Sequence, residues 1–432
     1  MGQLSLRLEV LKPRNFEEKL VWYSIVGTYG INLLGALYVW MPILAWLLVG
    51  RLGIKLWQQT EDAPPQEKIT IPLSVWVWIV SMACMEVAVV AAHIDFDLGL
   101  VKIASGTLAW TRSWALMALF PLAGCLNIRP QLVYRAVCHL CIQSIPIALL
   151  AYLASKANIF FVYLTPWWYI FRGDPMPYTV APLGFPPALG IDDEFRLNLF
   201  TPYANSLGIV GAVFFLIALQ EADKRWRWAG VVGSTIMVVG SISRMTTLCL
   251  VLVPALTWLL TSFTWPVRIA GGVTSFLAGL FAPLLFESWK TFYETTFTGF
   301  RQGSEKVRRK LGEIAIARWE NDATIWGHGF IAERGPETVE GMPIGTHNQW
   351  PDLLYLKGVV GFLAFLVPLA WSFADLLVKA QQSRVAKLGL SLIILLVICT
   401  NGADIEGATY LYWPGLLVIG MAFQPKEKIS VS

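Results

Sequence analysis

Charge is what this sequence has least of. Of its 432 residues only 14% are Asp, Glu, Lys or Arg, while 56% are hydrophobic. A soluble domain carries about 25% charged residues. The deficit runs the whole length of the chain, with a mean hydropathy of +0.58, and excludes an ordinary soluble globular protein. The net charge is only +4, and no nucleic-acid partner is expected. Histidine is also scarce, with four residues, so each one can be weighed. Cysteine numbers six: Cys84, Cys125, Cys138, Cys141, Cys249 and Cys399. All lie in or beside apolar runs. Cys138-His139-Leu140-Cys141 has the spacing of a metal or redox pair, but a structural zinc site needs four ligands and no second pair exists. A haem attachment motif would put His after the second Cys. These cysteines read as small buried side chains, and His93 and His139 as structural. No cleavable leader is expected, because the first residues are polar and charged through Lys19. Internal repeats and low-complexity tracts are absent as well.

What is present is a series of apolar runs, many near the roughly 20 residues that span a bilayer. Residues 1–19 read as a cytoplasmic leader with Arg7, Lys12, Arg14 and Lys19. Residues 20–50, interrupted by Gly27, Gly30 and Gly35, read as two short or tilted helices, followed by a polar loop 51–68 with Pro64-Pro65. Further runs lie at 72–93, 107–127, 136–154, 203–220, 228–241, 246–264, 268–287, 353–377, 388–402 and 408–423. Basic loops carrying Arg129 and Arg135, Lys224 to Arg227 and Lys379 to Lys387, with a tail 424–432 carrying Lys426 and Lys428, fall on one side. By the positive-inside rule that side is the cytoplasm. The expectation is an all-α polytopic protein of about twelve transmembrane helices with both ends inside. The membrane domain covers 20–287 with nine spans and 353–423 with three, and a large extracytoplasmic loop 288–352 separates the ninth from the tenth. A second outside loop, 155–202, holds Pro166, Pro175, Pro177, Pro182, Pro186 and Pro187. Proline at that density blocks a continuous helix, and the loop is expected to dip back into the interface. Of the abundant tryptophans, Trp40, Trp167, Trp168, Trp289 and Trp413 sit near predicted span ends, as in interfacial belts.

The cations that break the side rule are the informative ones. Arg196, Arg244, Arg301, Arg308, Arg309 and His347 all fall outside. The guanidinium fork matches phosphate oxygens, so several arginines on one face suit a diphosphate. Arg244 at a span boundary is costly without an anionic partner; the bland alternative is a snorkelling span end. Val307, Leu311, Ile314 and Arg318 recur at helical spacing, as in an amphipathic helix lying on the membrane. Its Arg308, Arg309 and Lys310 are either a functional cluster or a solvated, headgroup-facing stripe. His347, in Gly345-Thr346-His347-Asn348, titrates near neutrality and could serve as general base, or be an ordinary interface histidine. His328 lies between Gly327 and Gly329, which read as a tight turn. Asp192-Asp193-Glu194 is either a metal-binding carboxylate cluster or a solvated loop. Glu86 and Asp375 lie inside predicted spans, where a carboxylate defaults to function, including a proton or ion relay. Asp404 and Glu406, in an outside turn, could line the same cavity as the arginines.

Four stretches resemble the bacterial O-antigen ligase and O-antigen polymerase superfamily. They are Arg196-Leu-Asn-Leu-Phe-Thr-Pro-Tyr-Ala-Asn205; Ser241-Ile-Ser-Arg244; Ser304-Glu-Lys-Val-Arg308-Arg309 with Ile325-Trp-Gly-His-Gly329; and Thr346-His-Asn348 followed by Leu353-Leu354 and Gly358-Val-Val-Gly361. The likeness runs in order over residues 190–420. It implies a membrane glycosyltransferase at the bacterial inner membrane with its site facing the periplasm or outside. Such an enzyme transfers a glycan from a polyprenyl-diphosphate carrier to a lipid, growing polysaccharide or protein acceptor, without metal or other cofactor. Carried over, Arg196, Arg244 and Arg308 or Arg309 would hold the diphosphate and His347 would be the general base, with Asn205, Asn348 and His328 in support. Tyr203 departs from the family, which usually has asparagine or a small residue there. The rivals are a multi-span transporter, with Glu86, Asp375 and Arg244 lining its path, and a non-catalytic assembly factor.

Overall fold

A computed structural model describes residues 11–60, 68–171, 173–186, 195–262, 302–331, 335–339, 341–345 and 349–425. His347, Asn348, Asp192, Asp193, Glu194, Arg301, Trp289, Pro64, Pro65 and Pro187 lie outside the described residues, as do the predicted span 268–287, Arg7 of the leader, and Lys426 and Lys428 of the tail. Among the described residues the fold is mostly helical, with almost no strand. In chain order the helices are α1 (Phe16–Val26), α2 (Thr28–Leu33), α3 (Leu37–Trp57), α4 (Leu73–Asp95), α5 (Leu100–Arg112), α6 (Leu116–Ala123), α7 (Pro130–Lys156), α8 (Pro166–Phe171), α9 (Ala204–Ala218), α10 (Lys224–Gly240), α11 (Arg244–Thr261), α12 (Gln302–Asp322), α13 (Gln349–Lys379), α14 (Arg384–Cys399) and α15 (Trp413–Ala422). Five of them, α3, α4, α7, α11 and α13, are long and apolar enough to cross a membrane, and α9 and α15 are shorter apolar helices. The protein is therefore a helical membrane protein.

The proline-rich segment between α7 and α9 is not one helix. Its chain pairs Tyr163 with Val180 and Leu164 with Thr179 in a two-stranded antiparallel ribbon around the short helix α8. The apolar run 20–50 forms three helices rather than two. The third continues into the predicted polar loop because Glu17 meets the charges there, with Lys55 at 3.0 Å and Arg51 at 3.4 Å. The run 107–127 is split at Ser113, whose backbone leaves the helical region, into α5 and α6.

The chain divides into two compact units. The first comprises residues 1–75, 116–250 and 409–432. Its centre is α7, packed on α1, α9 and α10, while α6 packs on α3 and α15. Small residues let these helices close up, as in membrane helix pairs generally. A Cβ on Gly230 would lie 2.6 Å from Cys138 Sγ, and one on Gly233 only 2.2 Å from the Cys141 carbonyl oxygen. The CxxC cysteines are thus contact surface between α7 and α10. His139 sits between the rings of Trp22 and Trp226.

The second unit comprises residues 76–115 and 251–408. Here α13 packs on α12 and α14, and buried polar pairs fix the register. Trp78 donates to Ser372 Oγ at 2.9 Å, and Thr257 and Ser391 share a 2.9 Å hydrogen bond. His93 is buried, its Nδ1 2.7 Å from the Val89 carbonyl oxygen.

Candidate functional site

In the first unit the loop before α9 carries Arg196 and the turn after α10 precedes Arg244. That turn is forced. Ile242 adopts φ +53, a left-handed conformation that a β-branched residue enters only when its surroundings impose it. Leu197 N–H donates to the Gly240 carbonyl at 2.8 Å. A Cβ on Gly208 of α9 would fall 2.6 Å from Thr246 Oγ1 and 2.9 Å from Ser241 Oγ. The turn is therefore clamped between α9 and the Arg196 segment.

Arg196 itself is held on two sides. Its Nε donates to the Ser241 carbonyl at 2.9 Å and its Nη2 to Asn205 Oδ1 at 2.8 Å. Asn205 lies in the first turn of α9 and Ser241 caps α10. Ser243 N–H turns back to Ser241 Oγ at 3.3 Å, and Arg244 opens α11 directly afterwards with its side chain exposed. The structure thus brings together two of the predicted residues, Arg196 and Asn205, with the turn that launches Arg244. Arg196, on the loop before α9, is thereby tied to the turn that ends in Arg244. The Ser241 carbonyl is a contact that no side-chain pattern reveals.

In the second unit α12 is a helix, as the spacing of Val307, Leu311 and Ile314 predicts, but its apolar stripe does not lie on lipid. Val307, Leu311 and Ala315 are buried against Val339, Ile344 and Tyr355, with Ile314, Met342 and Leu356 alongside. The loop's own small core consumes the face expected to bind the membrane. Arg308 sits half-buried beside that face, whereas Arg309 is 78% exposed in a loose 3.7 Å pair with Glu313. Of the two, Arg308 is the better held.

His328 is a packing residue in this geometry. It is 6% exposed, with its ring stacked between Phe96 and Tyr355 at centroid distances of 5.0 and 4.3 Å. Gly327 and Gly329 have φ of +73 and +74, as a tight glycine turn requires. The turn plugs a break in α13. Gly358 leaves the helix with φ +61 and ψ −166, and the carbonyls and amides orphaned there find partners in the turn. His328 and Gly329 donate to the Tyr355 and Leu356 carbonyls at 2.8 and 2.9 Å. Val359 and Val360 donate to those of Thr324 and Ile325 at 3.0 and 3.3 Å.

Lys357, next to the break, was not singled out from sequence. Its Nζ lies 6.0 Å from the Trp114 ring centroid, and Glu86, Asp404 and Glu406 are its electrostatic neighbours. Glu86 also accepts a 2.5 Å hydrogen bond from Thr107. Asp375, by contrast, makes a 2.7 Å pair with Lys379 in the last turn of α13, which gives it a local partner at a helix end. Gln349 fastens the same region, accepting from Ile405 N–H at 2.8 Å. Among the described residues no group of three or more His, Cys, Asp or Glu is arranged to hold a metal ion. No protein-family model and no curated protein matches the chain.

Proposed function

We propose that the protein is a bacterial inner-membrane glycosyltransferase of the O-antigen ligase or polymerase type. It would move a glycan from a polyprenyl-diphosphate carrier to an acceptor hydroxyl on the periplasmic or outer face. The reading rests on an expected topology of about twelve spans with both ends inside, and on the order of the motifs that resemble the superfamily. The observation that carries it is the double anchoring of Arg196 on Ser241 and Asn205, beside the turn that launches Arg244. Diphosphate leaves as an anion, and preorganised donors aimed at developing charge are commonly the largest catalytic term. Arg196 and Arg244 would hold that charge, with Arg308 supplying a further donor. His347 would take the proton from the acceptor hydroxyl.

The test is transfer by purified protein in detergent, with a polyprenyl-diphosphate glycan as donor and release of carrier diphosphate as readout. Native protein is expected to turn over with and without EDTA. Loss of one such donor costs about 100–1,000-fold and loss of a general base about 100–10,000-fold, and Arg196→Ala and His347→Ala are expected to fall by those respective orders. Loss of native activity in EDTA would move the chemistry to Asp192 and Asp193. Full activity of His347→Ala would remove the base.

The transporter reading draws on a different observation, the break in α13 at Gly358 beside Lys357. Discontinuous membrane helices are a recurrent feature of transporter binding sites. Under that reading, Glu86→Gln would abolish solute uptake into proteoliposomes while carrier release stayed absent.

A further inference from the structure

Beside the Arg196 turn lies a cluster that diphosphate binding does not use. Tyr203 caps α9, immediately ahead of the Ala204-Asn205 turn that holds Arg196, yet its side chain makes no capping hydrogen bond. Tyrosine is a poor choice for that position, where short polar side chains are favoured. The residue is instead 42% exposed, and its hydroxyl lies 3.5 Å from Asp174 Oδ2. The Asp174 carboxylate is exposed but not loose, because Oδ1 accepts from Met176 N–H at 3.0 Å. The loop before it is pinned by Trp168, whose indole donates to the Gly173 carbonyl at 3.0 Å. Near them is a set of packed rings. Tyr410 and Tyr178 are buried, and Tyr38 meets both edge-on at 4.9 and 5.4 Å. Tyr203 and Asp174 are electrostatic neighbours of Tyr410.

A part-exposed tyrosine with a fixed carboxylate beside its hydroxyl matches the chemistry of a pyranose ring. The C–H face of such a sugar packs on an aromatic ring, and its hydroxyls donate to a carboxylate, a charge-assisted hydrogen bond. We propose that Tyr203 and Asp174 form the subsite for the sugar joined directly to the diphosphate. The ring stacks on Tyr203, and one hydroxyl donates to Asp174 Oδ2 while accepting from the Tyr203 hydroxyl. The inference rests on the diphosphate reading of Arg196 and extends it. It also gives a reason for tyrosine at a position where the resembling family has asparagine or a small residue: the side chain selects the sugar rather than the carrier.

The experiment compares two probes on full-length protein in detergent, undecaprenyl diphosphate and the same lipid bearing one N-acetylglucosamine. Binding to native protein, Tyr203→Ala, Tyr203→Phe and Asp174→Asn is measured by scintillation proximity. Native protein is expected to prefer the sugar-bearing probe. Asp174→Asn should weaken that probe by about ten-fold, the scale of one hydrogen bond to a charged group, and leave the sugar-free probe unchanged. Tyr203→Ala should do the same, and Tyr203→Phe should retain more of the preference. The near-isosteric Asp174→Asn and Tyr203→Phe variants keep the test decisive if Tyr203→Ala does not fold. Equal loss for both probes would mean that this turn only holds Arg196 in place, and would overturn the subsite. So would native binding without sugar preference, which would leave the diphosphate reading intact. Native protein that binds neither probe would overturn both.

Discussion

An arginine gains precision at a cost in reach when its donors are used to hold it still. Arg196 spends Nε on a backbone carbonyl and Nη2 on Asn205, while the exposed Arg244 follows a turn that cannot relax. The same logic of fixed charge operates on the predicted cytoplasmic side, where Glu18 is 1% exposed. Burial pushes its carboxyl pKa up, but Arg129, hydrogen-bonded to both its oxygens at 2.8 Å, and the Arg14 N–H bring the net value below the usual carboxylate range. A depressed carboxylate contributes stability above its unfolded pKa, near 4.3, and loses it as pH falls through the folded value. Thermal melts of detergent-solubilised protein should therefore drop on acidification below about pH 5. Glu18→Gln should flatten that acid limb. It should also lower the melt at neutral pH, because removing one partner of a buried pair strands the other, at about 3–5 kcal/mol. An unchanged neutral melt in Glu18→Gln would mean that the pair is solvated and holds nothing.

At the scale of elements, the break in α13 and the closeness of α7 to α10 are both written in glycine. A Cβ on Gly358 would meet the Ile325 carbonyl oxygen at 2.2 Å, at a positive φ. Gly358→Ala should therefore cost about 1–3 kcal/mol from the backbone conformation alone, with an added clash against the 324–329 turn. Gly233→Leu should separate α10 from α7 and lower the melt further. If either variant melts like the native protein, the corresponding contact is not as close as described. How much of this was legible in the sequence follows from the physics of each part. Apolar runs near bilayer length reveal helices because the signal is local, so α4, α7, α11 and α13 lie within a few residues of the predicted runs. Arg196 and Arg244 stand out in the sequence because a charge at a span end is conspicuous. The role of His328 was not, since a histidine sandwiched by Phe96 and Tyr355 depends on residues far away in sequence. The apolar stripe of α12 was read correctly as a stripe and wrongly as lipid-facing. Periodicity shows that a face is buried, and only Val339, Ile344 and Tyr355 reveal by what. Lys357 and Asp174 escaped because single charges carry no pattern.

For the molecule as a whole, the polar contacts sort by predicted side. Within the first unit, segments assigned to the cytoplasm bond to one another: Glu18 to Arg129, Glu17 to Lys55, and Arg135 to Glu221 at 2.8 Å. Segments assigned outside do the same. Trp167 donates to the Leu34 carbonyl at 3.2 Å, and Arg196 reaches Ser241. Within the second unit, Gln381 donates to the Leu260 carbonyl at 3.1 Å on the predicted inner side, and Gln349 and Ile405 pair on the outer. The expected topology can be measured directly. In a background with its own cysteines replaced, single cysteines at four exposed positions would be challenged with a membrane-impermeant maleimide on intact spheroplasts. Asn158→Cys and Gly407→Cys should label at once, because both lie on predicted outer loops. Ala222→Cys and Gln382→Cys should label only after permeabilisation. Inversion of all four would put the Arg196 turn in the cytoplasm and sink the proposed reaction on the outer face. Inversion of only the Gly407 and Gln382 pair would mean that an even number of crossings, instead of the expected nine, precedes α13, with residues 263–301 contributing other than one span, and would remove His347 from the side on which Arg196 lies.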